Sequence, residues 1–94
     1  MSESNSTSGW VVYILQCADQ TLYTGVTTDP ERRLQEHNSD NRLGARYTRS
    51  RRPVTMIYQE ACADRSSACQ REAAIKKLSR QAKLRLISAS RPDR

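Results

Sequence analysis

The sequence predicts an α+β domain in which a small sheet is covered by helices, with elements in the order β-β-α-β-α-α. Three observations carry that expectation. Two runs rich in β-branched and aromatic residues, Trp10 to Cys17 and Thr21 to Val26, flank a short polar break; Asp29-Pro30 marks a helix start; and a third strand-like run precedes two stretches of helical periodicity. Ninety-four residues suit a single domain, and a chain of this size buries only about 60 to 65% of its unfolded surface, so its core must be small. With 36% hydrophobic residues, no Phe and one Trp, the apolar inventory is lean but sufficient for a sheet with helical cover. The ordered domain is expected over residues 10–87, with tails at 1–9 and 88–94.

The first two runs read as a β-hairpin around Ala18-Asp19-Gln20. A two-residue loop would pair Tyr13 with Val26 and send Tyr13 and Tyr23 to opposite faces. A three-residue loop at 18–20 pairs Leu15 with Tyr23 and sets the two tyrosines diagonally on one face, and this register is the one predicted. Asp29 caps a helix from Pro30 to about Asn38, whose only aliphatic residue is Leu34. Arg33 and His37 are four apart and share a face with Leu34, so packing Leu34 on the sheet carries both polar groups towards it. Residues 39–52 read as a long polar loop, and Pro53 to Glu60 as the third strand. From Asp64 to Leu78 a helix is expected with Ala68, Ile75 and Leu78 as its apolar stripe and Glu72 bordering it. Ser79 caps a last helix, about Arg80 to Ser88, expected to bury Leu84 and Ile87.

Charge points to a polyanionic partner. Sixteen Lys and Arg against ten Asp and Glu give +6, and Arg42, Arg46, Arg49, Arg51 and Arg52 follow one another without an acidic residue between them. A second basic cluster contains Lys76, Lys77, Arg80, Lys83 and Arg85. Two such clusters in one small domain suit a phosphate backbone, and Tyr47 within the first adds a ring on which a base can stack. The candidate nucleic-acid contacts are therefore Arg42, Arg46, Tyr47, Arg49, Arg51, Arg52, Lys76, Arg80 and Lys83. Cys17, Cys62 and Cys69 show neither a complete disulfide framework nor CxxC spacing and read as small core residues. No signal-peptide pattern or membrane-length run is visible, so a cytoplasmic, reducing setting is expected, with no membrane association.

Tyr13, Tyr23, Arg33 and His37 lie within one hairpin and the helix that follows it, and His37 is the only histidine of the chain. Cleaving a phosphodiester requires water activation, charge neutralisation on the transition state, and support for the leaving oxygen. Arg33 offers a planar fork for two phosphate oxygens. Glu72 suits a hard divalent cation such as Mg²⁺ or Mn²⁺, for which one carboxylate with water and substrate oxygens is enough. Either tyrosine is a candidate base if a guanidinium and a metal favour its phenolate, with His37 as proton relay or phosphate donor.

Val11-Val-Tyr13, Tyr23-Thr-Gly25, Arg33, His37 and Glu72 together resemble the GIY-YIG nuclease superfamily. Leu22 to Asn38, Tyr47-Thr48 and Arg51-Arg-Pro-Val54 resemble its small stand-alone bacterial branch. Val11 stands where the motif has its first glycine, and Thr24 where it has its second isoleucine. The resemblance implies a three-stranded antiparallel sheet flanked by helices and a metal-dependent site on one sheet face. It assigns Tyr13 and Tyr23 to the motif tyrosines, Arg33 to the phosphate clamp, His37 to the active-site histidine, Glu72 to the metal ligand, and Gly25 to the motif glycine, where substrate or backbone can approach. The expected function is a divalent-metal-dependent endonuclease acting on DNA, with RNA left open, little intrinsic sequence selectivity and no protein partner inferable. The alternatives are a catalytically silent nucleic-acid-binding module of the same fold and a protein-interaction adaptor. Glu72 paired with Lys76 at i+4 would be the ordinary structural role for that carboxylate.

Overall fold

The hairpin forms as its turn chemistry dictates. In the computed structural model, which describes residues 9–90, β1 (Val11–Gln16) and β2 (Leu22–Thr27) are antiparallel with Leu15 opposite Tyr23 and Tyr13 opposite Gly25. The turn closes with Cys17 N–H donating to Thr21 O and Gln20 N–H to Cys17 O, both at 2.9 Å, and Asp19 accepts from the amide and hydroxyl of Thr21 at 3.1 and 2.6 Å. This is the three-residue loop predicted, and it obliges Gln20 to take φ of 73°. A left-handed residue with a side chain is strained, so Gln20→Gly is expected to raise stability by about 0.5 kcal/mol, the relief of that strain exceeding glycine's greater unfolded-state entropy. Urea denaturation measures it, and an unchanged or lower midpoint would contradict the strain.

β3 (Thr55–Ala61) pairs with the other edge of β1, giving the order β2-β1-β3, antiparallel throughout, with an irregularity at Ile14/Leu15. Four consecutive residues of the central strand, Val12 to Leu15, are buried. Because alternate residues point to opposite faces, they found two cores. Val12 and Ile14 pack with Tyr58, Ile75 and Ile87 on one face; Tyr13 and Leu15 pack with Cys17 and Val54 on the other. Each aliphatic side chain fully buried there contributes roughly 1.5–3 kcal/mol.

Helix α1 (Pro30–Ser39) covers the Tyr13 face through Leu34. Asp29 caps it by accepting from Arg32 N–H at 3.2 Å, and proline at its first position costs no hydrogen bond. Asn38 exchanges bonds of 3.0 and 2.7 Å with Val54 O and N, fastening the end of α1 to the approach of β3. The segment expected to be an irregular loop contains a short helix, α2 (Arg46–Arg49), with Thr48 fully buried. Polar residues and a single turn leave no periodicity to read.

The opposite face is closed by α3 (Arg65–Lys76), packed across β2 and β1, and α4 (Arg80–Ser90), packed on β3. Asp64 caps α3 by accepting from Ser67 N–H at 2.8 Å, and Ser79 does the same for Ala82 N–H at 3.1 Å. Arg71 on α3 reaches Glu60 of β3 at 3.1 Å, and Tyr58 donates its hydroxyl to the same carboxylate.

Three expectations need correcting. Leu78 and Leu84 are exposed rather than core, since α3 ends at Lys76 before its stripe reaches Leu78. In α4 the buried stripe is formed by Ile87 with partly buried Leu86. Of the cysteines only Cys17 is buried, Cys62 is partly buried and Cys69 is exposed, and none of the three is disulfide-bonded. Helix α4 continues to Ser90, two residues past its expected end at about Ser88. Residues 1–8 and 91–94, on which most of the expected tails fall, lie outside the described residues.

Candidate active site

The Tyr13 face of the sheet gathers the reactive groups. Tyr13 is buried with its ring over Gly25, where an added Cβ would lie 2.6 Å from the phenol oxygen and 2.7 Å from Cζ. Gly25 therefore makes room for Tyr13's own ring, where the sequence led us to expect the approach of substrate or backbone. The Tyr13 hydroxyl lies 2.9 Å from His37 Nε2. His37 is fully buried beneath α1, with its other nitrogen, Nδ1, 2.9 Å from Thr48 Oγ1. Tyr23 brings its ring to 5.3 Å from the imidazole, edge-on. Both tyrosines and His37 thus meet, as the three-residue turn and the placement of Leu34 required.

The electrostatics of this pocket keep its groups neutral. Burial, reinforced by Arg33 and Arg52 nearby, pushes the His37 imidazole down to about 4, because a charged ring loses its hydration there. Burial likewise pushes the Tyr13 phenol up to about 12, opposed by the adjacent Arg33 and reinforced by the charge of Glu72. His37's depressed pKa means the unfolded chain binds its proton first, so its contribution to stability is complete above about 6.5 and is lost as pH falls towards 4. Because the chain has one histidine, NMR titration checks this directly: an imidazole midpoint near 4 is expected, and one near 6.5 would contradict the buried placement.

Arg33 is half-buried, donating to Glu36 at 2.8 Å and to Leu43 O at 2.6 Å. With Thr27, Thr28, Asp29, Arg32 and Glu36 it lines a cavity of about 200 Å³ at the start of α1. Glu36 is held below the usual carboxylate range, chiefly by its bond from Arg33. That carboxylate occupies the fork an incoming phosphate would need. Glu72 sits on α3 with its side chain 22% exposed and paired to Lys76 at 3.1 Å. Glu72 acts on Tyr13 through its charge from a helix that covers the opposite face of the sheet, and its direct contact is the ion pair with Lys76.

Among the described residues no group of three or more His, Cys, Asp or Glu gathers to hold a metal. Glu72 stands as a single partly buried carboxylate whose counter-ion is a half-exposed lysine, and this donor set fits a water-rich Mg²⁺ or Mn²⁺ rather than a metal caged by Cys and His.

The arginine cluster divides. Arg52 donates to His37 O, Asp40 O and Asn41 Oδ1, tying off the end of α1. Arg49 donates to Asn41 O at 2.7 Å, and Arg51 to Asp19 and Tyr47 O. Only Arg42 and Arg46 keep exposed side chains without such bonds among the described residues. Tyr47 packs against Tyr23 at 5.7 Å between centroids, with the Arg51 guanidinium 4.0 Å over its ring, so a base could stack on it only by displacing one of them. Sequence reasoning also passed over Thr48 and Glu36 as contacts of the site. The signal for Thr48 was His37 itself, since a buried imidazole needs a partner for each nitrogen.

This fold and constellation define a class: a small α+β catalytic domain with paired tyrosines, an arginine and a histidine on one face of a three-stranded sheet. The chain belongs to the GIY-YIG catalytic domain family, a nuclease family, whose model matches residues 9–85. Within it, the chain is similar to UPF0213 proteins. That of Desulfotalea psychrophila is 62% identical over 86% of this chain and 73% of the relative, and that of Syntrophus aciditrophicus is 54% identical over 88% and 93%. The solution structure of the UPF0213 protein BH0048 from Bacillus halodurans superposes with a TM-score of 0.56 at 40% identity, covering 86% of this chain and 84% of that one. Among the described residues no helix is long and apolar enough to cross a membrane.

Proposed function

We propose that this protein is a divalent-metal-dependent endonuclease that hydrolyses DNA phosphodiester bonds with little sequence selectivity of its own, in a catalytic domain spanning residues 10–87. The observation that carries this reading is the convergence of Tyr13, Tyr23 and His37 on one sheet face, with Arg33 beside Tyr13 and Glu72 close enough to influence its phenol. Arg33 takes the scissile phosphate in place of Glu36, its fork matching two oxygens and its charge opposing the build-up on the phosphorane. Tyr13 or Tyr23 orients the attacking water, and His37 moves a proton through the Tyr13 hydroxyl. Glu72 would hold Mg²⁺ or Mn²⁺, which when bound supplies polarisation of a phosphoryl oxygen and a more acidic water.

The exposed Arg42 and Arg46 together with Arg80 and Lys83 of α4 supply backbone contacts, while Arg49, Arg51 and Arg52 hold the segment that presents them. Such contacts read charge and not base edges, which is why low selectivity is inferred. The Glu72–Lys76 pair favours one alternative, a nucleic-acid-binding module without turnover.

Supercoiled plasmid tests the reading. Nicking is expected with Mg²⁺ or Mn²⁺ and none after chelation, with DNA affinity falling steeply as salt rises. Intact plasmid despite salt-sensitive binding would establish the silent module instead.

A further inference from the structure

The buried hydroxyl of Thr48 has no packing reason to be there. It lies in α2, fully inaccessible, 2.9 Å from His37 Nδ1 and 3.0 Å from Ala45 O. A glycine lets it arrive: at Gly44 a Cβ would lie 2.7 Å from the carbonyl oxygens of Glu36 and Asp40, so only a residue without a side chain can carry the loop this close across the end of α1.

We infer that Thr48 is a positioning residue that fixes the tautomer of His37 and so sets the direction in which Tyr13 shares its proton. The count of protons argues it. Thr48 O–H donates to Ala45 O, its oxygen accepts from His37 Nδ1–H, and Nε2 is left with its lone pair facing the Tyr13 hydroxyl, 2.9 Å away. The side-chain groups are each used once in that sequence, and the one bond given up is the long one from the Ala45 amide to Nδ1 at 3.4 Å. The reversed order would set two donors, Thr48 O–H and Ala45 N–H, on the single lone pair of Nδ1, and the amide lies at 3.4 Å against 2.9 Å for the hydroxyl. Tyr13 is then a donor to His37, and its oxygen, beside the Arg33 guanidinium, has a lone pair left to accept from a water.

On the nuclease reading, which this step rests upon, a water giving a proton to Tyr13 Oη lets the Tyr13 proton pass to His37 Nε2. As the water oxygen bonds to phosphorus, the bond to the leaving sugar oxygen breaks with its electron pair and that oxygen takes a proton from solvent; the phenol is again neutral, and the transient imidazolium, its Nδ1–H bonded to Thr48, returns its proton to solvent because burial disfavours its charge. No free phenolate is required. Without the Thr48 hydroxyl the remaining neighbour of Nδ1 is the Ala45 amide, itself a donor. It selects the opposite tautomer and turns Nε2 into a donor against the phenol, closing the path.

Nitrogen-15 NMR of the single histidine at neutral pH decides this on the full chain without substrate. The Nδ1–H tautomer is expected in wild type and in Thr48→Ser, and Nε2–H in the near-isosteric Thr48→Val. Cleavage of plasmid by Thr48→Val should fall about 100-fold or more at unchanged DNA affinity, with Thr48→Ser restoring it. A wild-type Nε2–H tautomer overturns the inference, and this holds even if Thr48→Val does not fold. An Nδ1–H tautomer persisting in folded Thr48→Val overturns it too. The expected tautomers in a protein that never cuts DNA would sink the nuclease reading while upholding the control of His37 by Thr48.

Discussion

Gly25→Ala is expected to cost roughly 3 kcal/mol or more and to remove Tyr13 from His37. The new Cβ would stand 2.6 Å from the phenol oxygen and 2.7 Å from Cζ, distances no pair of such atoms tolerates. The obstacle is a ring, 1% exposed and on the central strand, rather than the free end of a flexible side chain. Relief requires either rotating the phenol out of its core or displacing β2 from β1, and overpacking of this kind costs about 1–3 kcal/mol, occasionally more. In either case the 2.9 Å bond to His37 Nε2 breaks, leaving a buried nitrogen without its partner. Chemical denaturation and the tyrosine hydroxyl resonance report the two effects. A variant as stable as wild type with that bond intact would show that the ring does not occupy the space above Gly25.

Arg33→Ala is expected to do the opposite: abolish cleavage and spare the fold. The guanidinium bonds to Glu36 and Leu43 O from a half-buried position, 26% exposed, at the edge of the fold where losing such a pair costs about 1 kcal/mol. Its chemical role is larger. A cationic fork on a transferring phosphoryl group is worth about 10³-fold or more in rate, and Arg33 also opposes the burial that raises the Tyr13 phenol. Plasmid cleavage under single-turnover conditions should therefore drop about 1,000-fold with the denaturation midpoint nearly unchanged. Arg33→Lys should recover little, because a point charge keeps the attraction and loses the two-oxygen geometry. Full activity in Arg33→Ala would remove the clamp from the mechanism.

The fold was legible wherever local chemistry and burial agree. The odd-length turn at 18–20 set the register and thereby placed Tyr13 and Tyr23 on one face; Asp29-Pro30 started α1; and Leu34, its lone aliphatic residue, carried His37 inward. What escaped depends on partners distant in sequence. Thr48 is polar and sits in a single helical turn, so neither periodicity nor hydrophobicity marks it, although His37 Nδ1 bonds to it. Nor can composition distinguish an arginine free to meet phosphate from one holding a helix end: Arg46 and Arg52 look alike until Arg52 is seen spanning His37 O, Asp40 O and Asn41. The same holds for Tyr47, which stays 37% exposed but whose ring packs against Tyr23 and beneath Arg51, which Asp19 of the hairpin turn holds in place.

The central claim is that these residues form one metal-assisted phosphodiesterase site, and cleavage of supercoiled plasmid by wild type beside Glu72→Ala and Arg33→Ala tests it most directly. The account predicts nicking by wild type in Mg²⁺ or Mn²⁺ and no product from either variant under the same conditions, with all three binding DNA. Equal cleavage by the three preparations would contradict it, because activity indifferent to both the clamp and the carboxylate cannot arise at this site.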